Sequence, residues 1–241
     1  STVEKNKLPF KSKYQNLLKK FKKVRNLQKY KISLNLDPIQ NCETIIISVS
    51  FDFTKKNSIR NLKKLFLTIA KKIKKKTLII LETTLPPGMS EKIIVPLLEK
   101  NLKKRRMKLK DIYFAYSYER VTPGDNYYNS ISNCYRVYAG LNEISAKKCE
   151  KFLTKIINTK RYPMTKLRTL RDCETCKVFE NTYRAVNIAL IDELTKFSIE
   201  NSLDIKNILK AIRLRKTHNN IMNPGLGVGG YCLTKDPKFL E

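Results

Sequence analysis

The chain has no tryptophan, one histidine and seven glycines in 241 residues. It also has no apolar run near the ~20 residues of a membrane span. Its longest such runs, around Ile45 to Phe51 and Leu78 to Leu81, are strand-sized, so no membrane partner is expected. The first residues are polar and basic, unlike a signal peptide. Acid is scarce: 21 Asp and Glu stand against 50 Lys and Arg, a net charge of +29. Such an excess suits nucleic acid or anionic substrates. Lysine is spread throughout, however, and no zinc finger, recognition helix or aromatic-interleaved basic motif is evident, so no nucleic-acid partner is expected. The six cysteines, with no extracellular signal, read as free thiols in a reducing, cytoplasmic compartment. Cys173 and Cys176 form a lone C-x-x-C inside a helical pattern. A closed zinc site takes four ligands. With no second pair and His218 as the sole imidazole, no metal is expected.

Because glycine is scarce, its distribution is informative. Four of the seven, Gly225, Gly227, Gly229 and Gly230, fall within six residues. They lie in Asn223-Pro-Gly-Leu-Gly-Val-Gly-Gly-Tyr-Cys232-Leu-Thr-Lys235-Asp236-Pro. Such a run costs conformational entropy and belongs where bare backbone meets a ligand or adopts positive φ. A helix starting after it would put Asp236 one turn beyond Cys232 on the same face. A thiol at a loop-to-helix start, near a cation, is a setting that makes thiolate available. The stretch reads as a nucleophile presented to a ligand on a glycine cradle. An ordinary loop with a chance cysteine is the alternative these residues leave open.

Residues 1–31 carry eleven Lys or Arg and one Glu, yet Tyr14, Leu17, Leu18, Phe21, Val24 and Leu27 keep helical spacing, which predicts an amphipathic helix. A short strand is expected over Tyr30 to Leu34, then a turn at Asp37-Pro38. Thr44 to Ser50, apolar and too short for a helix, predicts a strand buried on both faces. A helix bearing Ile59, Leu62, Phe66 and Ile69 follows, then a strand at Thr77 to Leu81. Ser90 or a neighbour is expected to cap the next helix, before a strand at Ile112 to Tyr116. A strand near Arg136 to Ala139 and a helix from about Ser145 to Ile157 complete this part. The rhythm implies βαβ units and a parallel sheet, with ligands beyond the strands' carboxyl ends. The loops Thr83 to Gly88 and Ser117 to Gly124 are therefore candidates. No strand is followed by G-x-G-x-x-G. From Arg171 the pattern changes: residues 171–201 lack Gly and Pro and predict one helix of about 45 Å, apolar on several faces and so buried between domains or subunits. Along it Lys177, Asn181 and Arg184 form a polar stripe, either solvated or facing a polar ligand. A second helix is expected over Asp204 to Leu214. The fold class is α/β: a partial Rossmann-like parallel sheet over 1–165, then an all-α part over 166–241.

Glu82-Thr-Thr-Leu-Pro-Pro-Gly, Tyr118-Glu-Arg-Val-Thr-Pro-Gly, the run from Lys177 through Asn181 to Ala189, and Gly229-Gly-Tyr-Cys-Leu-Thr-Lys-Asp occur in this order. Together they resemble the UDP-glucose/GDP-mannose dehydrogenase family of nucleotide-sugar 6-dehydrogenases. The resemblance implies an NAD-dependent oxidoreductase that takes a C6 alcohol to a carboxylate through two hydride transfers. It implies Cys232 as nucleophile, Lys177 and Asn181 at the oxyanion, and Glu119 as general base. Asp236 would orient or activate a water with Lys177, and Thr84 would place water. Thr83, Thr84, Pro86 and Lys235 would lie on the cofactor side, with Pro87 and Gly88 shaping that loop. Glu119, Arg120, Lys177, Asn181, Arg184, Asn223 and Gly225, Gly227, Gly229 and Gly230 would hold the substrate, a UDP-sugar, and the central helix would form a homodimer. Tyr118 departs from the family, where proline is common, as does Thr234. The resemblance places the family's phosphate loop and C-terminal nucleotide-binding domain outside the chain. The chain thus reads as a fragment of such an enzyme, or as a non-catalytic remnant that keeps binding or dimerisation.

Overall fold

The computed structural model describes residues 19, 22–23, 32–52, 54–55, 57–121 and 127–241. The helix expected over 1–31 lies almost wholly outside them. Of the strand expected over Tyr30 to Leu34, residues 32–34 are irregular and Leu34 is exposed.

Five strands, β1 (Thr44–Ile47), β2 (Leu78–Leu81), β3 (Tyr113–Tyr116), β4 (Val137–Gly140) and β5 (Thr165–Lys166), lie side by side in chain order. β1, β2 and β3 are parallel, joined through α1 (Ser58–Lys72) and α2 (Val95–Lys103). α1 buries Leu62, Phe66, Ile69 and Ala70 and carries Lys71 and Lys72 in its last turn, where cations meet the helix dipole. β2, flanked on both sides, is buried at every residue. β1 departs from the expected burial on both faces. Ile45 and Ile47 enter the core, but Ile46 is 42% exposed, because among the described residues β1 is the sheet edge.

β4 departs from the all-parallel expectation. It runs antiparallel to β3, with Ala115 opposite Gly140 and Tyr116 opposite Ala139. Among the described residues the link from β3 to β4 carries α3 (Tyr127–Ser132), a helix of six residues. α4 (Glu143–Leu153) leaves β4 at once, capped by Asn142, whose Oδ1 accepts from Ser145 N at 2.9 Å. A Cβ on Gly140 would stand 2.2 Å from Ala146 N, so only glycine lets α4 fold back this closely.

α5 (Leu170–Glu200) is unbroken, and α6 (Ile205–Ile212) follows. Thr169 and Asp172 cap α5 reciprocally, each side chain accepting the other's backbone N–H at 3.0 and 3.1 Å. Leu170, Cys173 and Val178, in its first turns, share one core with Leu81, Phe114 and Tyr116. Ser90 does not cap the helix after β2. That start, a π-turn over Ser90–Ile94 leading into α2, is held by Glu174 of α5. Glu174 Oε2 accepts from Gly88 N at 2.6 Å and Oε1 from Ser90 N at 2.9 Å.

Glu174 has no solvent exposure, and burial pushes its carboxyl up to about 7. Between the unfolded value of 4.5 and about 7 the folded chain keeps a proton that the unfolded chain has lost, so stability falls as pH rises through that window. One proton corresponds to about 1.4 kcal/mol per pH unit. Denaturant titrations from pH 4 to 8 should show wild type losing stability relative to Glu174→Gln across this window. Parallel curves for the two proteins would refute the assignment.

Candidate active site

The carboxyl ends of β1, β2 and β3 meet α5 around a cavity of about 570 Å3. Ser48 follows β1, Glu82 follows β2, and Glu119, Arg120 and Val121 follow β3. α5 contributes Lys177, Asn181 and Arg184, and the C-terminal turn contributes Cys232 and Leu233. Of the residues singled out from sequence, six therefore share one cavity: Glu119, Arg120, Lys177, Asn181, Arg184 and Cys232. The polar stripe on α5 faces this cavity rather than open solvent alone.

Each group is held by identifiable contacts. Lys177 Nζ donates to the Glu119 carbonyl at 2.9 Å and lies 5.2 Å from the centre of the Tyr118 ring. The Glu119 carboxylate accepts from Val121 N. Asn181 Nδ2 donates to Asp236 Oδ2 at 2.6 Å, and the other Asp236 oxygen pairs with Lys235. Asp236 is fully buried, and its own N–H closes a turn on the Cys232 carbonyl at 2.9 Å. Cys232 is exposed and anchored through that turn. Asp236 is thus a tether between α5 and the thiol turn, with both oxygens engaged. Lys235 is buried beneath the Phe239 ring at 4.5 Å, away from the cavity wall.

Other expected residues lie elsewhere. The Thr83 hydroxyl accepts from Val49 N at 3.0 Å and donates to Val49 O at 2.9 Å, joining the ends of β1 and β2. Among the described residues, Thr83, Thr84 and Pro86 contribute no wall to the cavity. Asn223 Oδ1 accepts from Arg213 at 2.6 Å. Gly227 and Gly230 adopt φ of +78° and +83°, as a glycine run permits. Positions 225, 229 and 230 have open space where a side chain would be. The four glycines do not line the cavity of about 570 Å3; Tyr231 secures the end of the run through Ser50 Oγ at 2.9 Å.

Sequence reading missed several participants. Tyr118 is wholly buried. Its hydroxyl donates to Glu180 at 2.8 Å and accepts from Arg120 at 3.0 Å, while Arg120 also pairs with Glu180. Burial pushes the Tyr118 hydroxyl well above its ordinary pKa. Glu180, one turn after Lys177, could have been found from that spacing. Arg136 and Glu82 form a nearly buried ion pair in the cavity wall, and burial raises the Glu82 carboxyl. No local pattern links two residues 54 positions apart. A second cavity, about 890 Å3, runs along α5 and shares Arg120, Lys177, Asn181 and Arg184 with the first. Cys173 is in the core and Cys176 contacts the Tyr118 hydroxyl at 3.2 Å. Among the described residues no three His, Cys, Asp or Glu side chains cluster as metal ligands.

Asn181→Ala leaves a buried Asp236 oxygen without its donor. A loss of about 1–3 kcal/mol is expected, with proteolysis beginning after residue 230 before the sheet opens. Limited proteolysis with mass spectrometry checks this; unchanged cleavage and stability would contradict the tether.

Residues 2–159 match the NAD binding domain of the UDP-glucose/GDP-mannose dehydrogenase family, and residues 171–241 its central domain. A UDP-N-acetyl-D-mannosamine dehydrogenase of Pyrococcus horikoshii is 32% identical over 225 residues, covering 92% of this chain and 51% of that protein. A UDP-N-acetyl-D-glucosamine 6-dehydrogenase of Pseudomonas aeruginosa is 33% identical over 221 residues, covering 90% and 50%. The solved structure of a UDP-D-ManNAc dehydrogenase from P. horikoshii superimposes with a TM-score of 0.80 at 29% identity, covering 96% of this chain and 53% of that one. The chain spans about half the length of these relatives. With both domain models matched in order, and the thiol, lysine and asparagine of the shared motifs lining one cavity, the chain belongs to the UDP-glucose/GDP-mannose dehydrogenase family.

Proposed function

We propose that this chain carries the reacting half of an NAD-dependent nucleotide-sugar 6-dehydrogenase that oxidises the C6 alcohol of a UDP-sugar to a carboxylate. The observation that carries this reading is the cavity at the carboxyl edge of the sheet, where Cys232, Lys177 and Glu119 share one wall system. The residues present fit the nicotinamide end of NAD. The cavity opens beside Ser48 and Glu82, beyond the ends of β1 and β2, where such sheets bind ligands. The pyrophosphate end has no counterpart in a strand-linked glycine loop of this sequence. NAD, when bound, accepts a hydride at each of the two oxidation steps.

In this reading the Cys232 thiolate adds to the C6 aldehyde, forming the C–S bond of a thiohemiacetal whose oxygen faces Lys177. Loss of the second hydride leaves a thioester on Cys232. Lys177, already fixed by the Glu119 carbonyl, supplies charge to the oxyanion without reorganising. Glu119 takes a proton from water, the water oxygen attacks the acyl carbon, and the C–S bond breaks to release acid and thiol. Asn181 and Asp236 act by holding the Cys232 turn against α5. The groove shared by the two cavities, with Arg120 and Arg184 along it, provides cations for the diphosphate.

The reading includes a homodimer. Phe179, Tyr183, Val186, Leu190, Leu194 and Phe197 form an exposed apolar row on α5 at spacings of three and four, the pattern of a helix that packs against a partner. Val186→Glu with Leu190→Glu should turn a dimer into a monomer by light scattering; a wild-type monomer at the same concentration would remove this part.

Joined to the rest of a family enzyme, the chain should yield two NADH per UDP-sugar. Cys232→Ser should abolish acid formation, and Glu119→Gln should accumulate a covalent adduct visible by intact mass. Acid production by Cys232→Ser at the parent rate would overturn the thioester.

A further inference from the structure

The edge of the sheet opposite the thiol holds another cavity, of about 460 Å3, at the amino ends of β1, β2 and β3. Lys74, Lys75 and Lys76, following α1, line it from one side. Lys148, Lys151 and Lys155, three and then four residues apart, line it from α4 and the turn beyond. Glu43 is the only acid among its described lining residues. The whole chain has 50 cations to 21 acids, whereas this one concavity has six to one. Lysine-rich composition alone spreads charge over convex, solvated faces; it does not bring two separate segments to one depression.

The arrangement is held in place. Lys76, at φ +66°, donates its N–H to the Asp111 carbonyl at 2.6 Å, which fixes the turn against the approach to β3. Lys74 Nζ donates to Asn41 O at 3.1 Å, and Lys148 Nζ stands 5.4 Å from the centre of the Tyr113 ring. Lys75 lies 3.8 Å from Asp111. Like charges gathered around one concavity raise the local concentration of anions.

We propose that this cavity is a binding site for a small polyphosphate, separate from the thiol cavity. The volume lies in the range of small-molecule sites. Six cations around room for one small molecule call for a ligand with several negative charges close together. The lining has no arginine; its lysine ammoniums are compact point charges on flexible stems, which bind phosphate groups without the geometry a bidentate fork imposes. Tyr113 and Phe152 in the wall offer apolar ring surface that a nucleobase could meet. A nucleoside triphosphate and inorganic tripolyphosphate share the chemistry that the lysines recognise.

Calorimetric titration of the 241-residue chain with tripolyphosphate and with ATP, at about 0.15 M salt to screen diffuse attraction, tests the site. Lys151 and Lys155 are exposed, so Lys151→Glu with Lys155→Glu should fold normally by circular dichroism and weaken both ligands about tenfold or more. Arg184→Glu, in the thiol cavity, should leave that binding intact. If ATP binds more tightly than tripolyphosphate and Phe152→Ala removes the difference, the site takes the nucleotide; equal affinities assign it to the phosphate chain alone. The proposal is overturned by no binding at this salt, by binding that ignores the paired reversal, or by loss in Arg184→Glu alone. Binding to anionic vesicles without binding to either soluble ligand also overturns it. None of these outcomes depends on dehydrogenase activity, so the thiol reading stands or falls separately.

Discussion

One buried carboxylate sets the relation between the sheet and the long helix. The start of the helix after β2 has backbone N–H groups with no partner within the helix, and at Gly88 and Ser90 it lies inside the protein, away from water. Glu174 supplies both acceptors from α5. Because Lys177 and Asn181 follow at i+3 and i+7, the same helical face that caps this turn also faces the cleft. Rotating α5 to move Lys177 would strip the cap from Gly88 and Ser90. The rotational setting of the helix is therefore over-determined, and the two polar side chains inherit it.

The thiol is placed by a second buried carboxylate. Asp236 carries no exposure and divides its oxygens between Asn181 and Lys235, an arrangement that satisfies a charge which would otherwise be costly to bury. Its backbone closes the turn onto Cys232. An exposed cysteine thereby gains a fixed point on the helix that bears Lys177. Gly225, Gly229 and Gly230 have open space where a side chain would be, so the tether and the Tyr231–Ser50 contact hold the segment that bears the thiol.

Tyr118 illustrates how a departure from the family pattern is accommodated. It buries its ring between Lys177 and Arg120, with cations 5.2 and 5.3 Å from the ring centre, and shares its hydroxyl with Glu180. The Arg120 guanidinium is thereby held against Glu180, Tyr118 and the Tyr135 carbonyl, in the wall common to the two cavities. Elsewhere the large positive charge is uneven in its consequences. Arg136 is neutralised by Glu82 within the cavity wall, and the lysines of the opposite edge stand together around a concavity.

The sequence by itself determined the local elements. Short apolar runs became β1, β2 and β3, the glycine-free stretch became α5, and the order of four motifs pointed to the family. It also determined that Lys177 and Asn181 share a helix face, because helical period is a local property. Only tertiary structure decided the direction of β4, the exposure of Ile46, the cap at Ser90, the burial of Lys235 and the pairing of Arg136 with Glu82. Each of these depends on which of many equivalent partners is brought near across tens of residues. With fifty cations in the chain, the pattern along the sequence cannot choose among them. Packing can, because burying a carboxylate is tolerable only beside the particular donor that satisfies it.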